Sequence, residues 1–159
     1  ELFNPTATNV NLGGWWLTDD AATPKKFRIP DNTILAAGGH VHFDANQFNA
    51  TLGSPDSFQL SSVGDDVYLF SADLAGKLTG YNHGAVFGAS FNGASFGRYV
   101  NSAGEEFVSL QTARTLGAAN ADPRIGPIII SEIHYHPEEG CLAGSVGTDD
   151  AEDLAGCNF

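Results

Sequence analysis

Four carboxylates, Asp149, Asp150, Glu152 and Asp153, crowd one short stretch near the C-terminus. Oxygen-rich loops of this kind hold Ca²⁺ in extracellular modules, so these four are candidate calcium ligands. The glycine and closing glutamate of an EF-hand are missing, and the competing interpretation is a solvated acidic loop. Cys141 and Cys157 bracket this loop. In an acidic, Lys-poor chain the pair is expected as an extracellular disulfide rather than a redox or zinc motif, with two free thiols as the alternative. Closing the loop would contribute about 3 kcal/mol in the chain-entropy account. Glu132, His134 and His136 alternate, which puts all three on one face of a strand at a chelating spacing. A third or fourth strong ligand is not evident from the sequence, so a solvent-facing pair of histidines is favoured. Ser95 lies in Gly-Ala-Ser-Phe-Gly, the pattern of a nucleophile elbow. That motif needs a following helix, and the flanks here alternate like strands, so a turn is expected. Asn49-Ala50-Thr51 is a glycosylation sequon. No phosphate-cradling loop, zinc-protease helix or pair of catalytic carboxylates can be assembled from the remaining residues, and the expectation is a protein that is not an enzyme.

The elements carrying these residues follow from composition. The 159 residues are 42% hydrophobic, enough for one core, and 19 glycines with only 16% charged residues suit short strands joined by turns. A net charge of −12 repels polyanions, so nucleic acid is a poor partner. No apolar run reaches the roughly 18 residues of a membrane helix. Methionine is absent, which implies a processed chain or an excerpt of a longer one.

Period-two alternation predicts strands through most of the chain. Val10 and Leu12 alternate with Asn9 and Asn11, and Trp15, Trp16 and Leu17 make a strand ending at Asp19 and Asp20. The segment Lys26 to Pro30 is a short strand; in Gly39 to Asp44, Val41 and Phe43 share one face while His40, His42 and Asp44 share the other. The segments "SFQLSS" and "DDVYLFSAD", separated by Gly64, are expected as a hairpin, and "LAGKLTG" as the next turn. "GYNHGAVFGASF" and "GRYVNSAGEEFVSLQ" complete the series, and a single helical turn is expected after Asp44. Residues 1–111 form the expected domain, 112–127 a linker without alternation, and 128–159 a strand of high β propensity followed by the acidic Cys-bounded loop.

Six segments in order, "VNLGGWWLTDD", "FRIPDNTILAAGGHVHFD", "FQLSSVGDDVYLF", "ASFGRY", "TLGAANADPRIGP" and "IIISEIHYHPEE", resemble the lamin tail domain family, particularly its bacterial secreted members. The resemblance implies an all-β, immunoglobulin-like β-sandwich, in agreement with the composition. It also implies that Trp16 packs into the core, that "SFGR" carries no catalysis, and that other residues usually stand at the positions of His134 and His136. Members of the family normally begin with a segment like "IIISEIHYHP", pass an acidic loop, and enter a strand that resembles "FEFIELFNP". In this chain that first strand stands at the C-terminal end.

Two functions are therefore expected. The first is a secreted or cell-surface structural module whose partners are copies of itself. Residues 128–135 would be donated to a neighbouring subunit, with Ile128, Ile129, Ile130, Glu132, Ile133 and Tyr135 at the interface. Gly117 to Pro127, fully extended, reaches roughly 35 Å, enough for such a crossing. A variant of this idea folds the same strand back on its own domain, giving a monomer. The second is an adhesive or carbohydrate-associated module from a tandem array, binding glycan through the face around His40 and His42, with Trp15, Trp16, Tyr81 and Phe96 as further aromatic candidates.

Overall fold

The computed structural model describes residues 1–126, 128 and 130–132. It divides into two units, Glu1–Arg124 and Ile125–Phe159. The first is an all-β, immunoglobulin-like sandwich.

Its main layer is a four-stranded antiparallel sheet built from β3 (Trp16–Thr18), β4 (Phe27–Arg28), β7 (Gly64–Ala72) and β8 (Leu78–Gly88), in the order β4-β3-β7-β8. Two short antiparallel pairs pack on the same core. They are β1 (Leu2–Phe3) with β6 (His40–Val41), and β2 (Val10–Asn11) with β5 (Ile34–Leu35). A hairpin of β9 (Phe96–Val100) and β10 (Glu106–Leu110) completes the described strands.

The core is built by strand parity. Leu12, Leu17, Ile29, Leu35 and Phe58 are buried together, and Leu2, Val10, Trp15, Phe27, Val41, Phe43, Phe48 and Leu69 pack against them while keeping part of their surface in solvent. Val41 and Phe43 thus turn inward and His42 stays exposed, as their alternation requires. The single helical turn α1 (Ala45–Phe48) starts at Asp44 with a capping box: Asp44 accepts from the Asn46 amide at 2.9 Å, and Gln47 Oε1 accepts from the Asp44 amide at 3.0 Å. These bonds satisfy amides that one isolated turn would leave open.

Two expectations require correction. "SFQLSS" does not pair with β7; β7 forms its hairpin with β8 through the turn at 73–77, where the Asp73 amide donates to Lys77 O at 2.9 Å and the Gly76 amide to Asp73 O at 2.8 Å. The Gly64 break was the weaker signal, because the Asp73 side chain also accepts from the Lys77 amide at 2.9 Å and closes the tighter turn. Trp16 is not a core residue. It lies directly opposite Phe70, on the face of the sheet away from Leu17 and Leu69, and its neighbour Trp15 is the tryptophan against the core.

Thr112 to Arg124 runs back along the end of β10. The Gln111 amide donates to Ser95 O at 2.9 Å, the Thr112 amide to Asp122 O at 3.0 Å and the Arg124 amide to Leu110 O at 2.7 Å. Of the second unit, Ile128 and residues 130–132 form no strand, and Ile128 and Ile130 are 88% and 81% exposed.

Candidate functional site

The first candidate is the edge formed by β1. Leu2 pairs with Val41 and Phe3 with His40, and among the described residues β1 has a strand on one side only. The side chain of Leu2 turns toward the core, whereas Phe3 turns out and stacks on His40 with ring centroids 4.7 Å apart. Beyond Phe3 the chain is fixed by Asn4, a buried side chain whose Nδ2 donates to Thr8 O at 2.8 Å, Ala36 O at 3.0 Å and Leu35 O at 3.1 Å. Its Oδ1 accepts from the Thr6 amide at 3.0 Å and the Thr6 hydroxyl at 2.7 Å. This one residue ties β1 to β5 and holds the β1 edge beside the core. The layer next to that edge is thinly covered, because Leu2, Val41 and Phe43 reach the core and remain accessible. Even β7, internal to its sheet, has no buried residue before Ser71.

The second candidate is the outer face of the four-stranded sheet. Register places Arg28, Trp16, Phe70 and Asn82 in one row across the four strands, and Tyr68 beside Gly84 in the next. The Tyr68 hydroxyl donates to Asp66 Oδ2 at 2.9 Å, which also raises the phenol pKa above its ordinary value. Trp16 Nε1 donates to Gly76 O at 3.3 Å, and Lys25 Nζ stands 5.8 Å from the centroid of the Trp16 ring. Thr18, on the same face, is fully buried by the loop after β3, its hydroxyl donating to Thr23 O at 2.8 Å.

The remaining candidates fall as follows. Ser95 precedes a strand, not a helix, and its hydroxyl donates to Gln111 Oε1 at 3.0 Å. Trp15 meets Tyr81 at 6.0 Å and Phe96 meets Phe87 at 5.4 Å, so the other three aromatics grouped from sequence do not form one face with Trp16. His40 is engaged with Phe3. Asn49 ends α1 as its C-cap and is partly exposed. Ile129, Ile133, His134, Tyr135, His136, Cys141, Asp149, Asp150, Glu152, Asp153 and Cys157 lie outside the described residues. Among the described residues no three metal-binding side chains come together, and no helix is long and apolar enough to cross a membrane.

Sequence reasoning missed Asn4 and the outer row of rings. Asn4-Pro5 announces a turn but not five hydrogen bonds. The outer row was legible in principle, since Tyr68 and Phe70 alternate with Val67 and Leu69 along a single strand and must face the other way.

Comparison with known proteins agrees with this architecture. The family model of the Lamin Tail Domain matches residues 1–95. No curated protein and no solved structure matches the chain. The matched segment carries β1 through β8, including the β1 edge and the outer row, and the lamin tail domain is an immunoglobulin-like, non-catalytic module. The chain belongs to the lamin tail domain family.

Proposed function

We propose that this protein is an extracellular structural module that assembles head to tail into a fibre, residues 128–135 of one copy adding as a strand to the free edge of β1 in the next. The observation that carries this reading is the edge itself: β1 has one partner strand among the described residues and lies beside core side chains that are still half open. An unpaired edge next to uncovered apolar surface is a template for strand addition. Ile128 and Ile130 present apolar side chains almost wholly to water, and covering each is worth about 1.5 to 3 kcal/mol. The family order of segments supports the same partner, because the segment resembling "IIISEIHY" there precedes the strand that continues into β1.

Head-to-tail addition is heterologous, so it propagates unless a rotation closes it. In this assembly the Cys141–Cys157 staple and a calcium ion on Asp149, Asp150, Glu152 and Asp153 would fix the loop behind the donated strand. Negative-stain microscopy of the intact chain and of Ile128→Asp/Ile130→Asp tests the reading. Filaments in the first and none in the second are expected, since a charge would have to be buried in the acceptor. Dispersed single particles for the intact chain would sink it.

A further inference from the structure

Trp16 and Phe70, side by side across two strands, and Tyr68, two residues before Phe70 along β7, form an angled row of half-buried rings on the outer face of the four-stranded sheet, the face that does not pack on the core. Trp16 and Phe70 are cross-strand partners, on strands about 4.8 Å apart. The Tyr68 and Phe70 centroids are 6.4 Å apart with the rings tilted by 40°. Their setting is fixed before any ligand arrives. The Tyr68 ring rests against Gly84, where a β-carbon would stand 2.5 Å from Cδ1, and Asp66 holds its hydroxyl. Trp16 is pinned by its hydrogen bond to Gly76 O, and a β-carbon on Gly76 would stand 3.3 Å from Cζ2.

The charges around this row select the occupant. Lys25 and Arg28 flank the Trp16 end, and Asp66 flanks the Tyr68 end. A cation meets Lys25 at the Trp16 end, where Arg28 is already paired with Asp31, while a polyanion meets Asp66 and the whole net charge of −12. A neutral, extended, polyhydroxylated chain meets neither penalty. Its C–H faces are weakly positive and complement the negative faces of the rings. Its hydroxyls find a carboxylate at Asp66 and an amide at Asn82 along the same rows, while the Arg28 guanidinium is held by Asp31 at 2.7 Å and Leu74 O at 2.9 Å. We propose that the Trp16–Phe70–Tyr68 row is a binding platform for a neutral polysaccharide. This face is different from the one around His40 and independent of the β1 edge, so the platform operates in a monomer and in a fibre alike.

The test uses the intact chain, with cellohexaose, chitohexaose and laminarihexaose as probes, read by tryptophan fluorescence and by NMR shifts of the ring resonances. Saturable binding of at least one hexasaccharide is expected, with shifts at Trp16, Phe70 and Tyr68. Tyr68→Ala is expected to weaken it about tenfold, the loss of one stacked ring. Tyr68→Phe, which keeps the ring, and Phe91→Ala, an exposed ring elsewhere, are expected to retain it. The NMR map of the unsubstituted chain locates the site even where a variant folds poorly. No saturation at millimolar hexasaccharide, shifts centred on other residues, or binding confined to choline or to a sulfated hexasaccharide would each overturn the proposal.

Discussion

The ring of Tyr68 presses its Cδ1–Cε1 edge against Gly84 of the neighbouring strand, so close that a β-carbon there would stand 2.5 Å from Cδ1 and 2.6 Å from Cε1. Gly84 is therefore a gap that the ring fills. Its replacement by valine must displace Tyr68 from Asp66 or shift β8, and overpacking of this kind costs about 1 to 3 kcal/mol. Thermal unfolding of Gly84→Val should show a lowered melting temperature, and an unchanged one would mean that the ring moves freely.

Gly14 serves another purpose. Its φ of +85° is the left-handed conformation, and a β-carbon would fall 2.6 Å from the Asp73 carbonyl oxygen, a backbone atom with no room to yield. Gly14→Ala should destabilise the domain by about 2 kcal/mol or more, measured by denaturant midpoint. An effect under a few tenths would place the strain elsewhere.

Asn4 has five hydrogen bonds in a buried site, and both ends of its amide are used. Asn4→Asp replaces the donating end with an acceptor that faces three carbonyl oxygens. The expected loss is about 3 kcal/mol or more at neutral pH, partly recovered in acid as the carboxyl gains a proton. Chemical denaturation at two pH values reads both effects.

Glu106 is held below the usual carboxylate range, first by its hydrogen bond from Arg98. Its oxygen also lies 3.8 Å from His83 Nε2 on β8. A lowered folded pKa gives stability that is present above the unfolded value of about 4.3 and is lost as pH falls through the folded value. The group is well exposed, so the contribution stays within about 1 kcal/mol. The stability difference between wild type and Glu106→Gln should shrink as pH drops below about 4, and a difference that grows in acid would contradict the assignment.

The sequence carried the fold where side-chain parity or capping decides it. His40, Val41, His42 and Phe43 alternate as their faces demand, and Asp44 with Gln47 announces the one helical turn. It is silent where backbone bonds decide. The return of Thr112 to Arg124 along β10 rests on the amides of Thr112 and Arg124, which any residue could supply. The two tryptophans are adjacent, so their opposite fates turned on the register of Trp16 with Phe70 rather than on composition. The edge of β1 is a property of what lies next to it, and only the pairing of Leu2 with Val41 reveals which side is open.

Light scattering coupled to size-exclusion chromatography gives the mass of the intact chain directly, without reference to any ligand. Strand addition predicts a concentration-dependent series of multiples of 16.7 kDa that Ile130→Asp reduces to the single unit. A mass of 16.7 kDa at every concentration, identical for the intact chain and the variant, would contradict it.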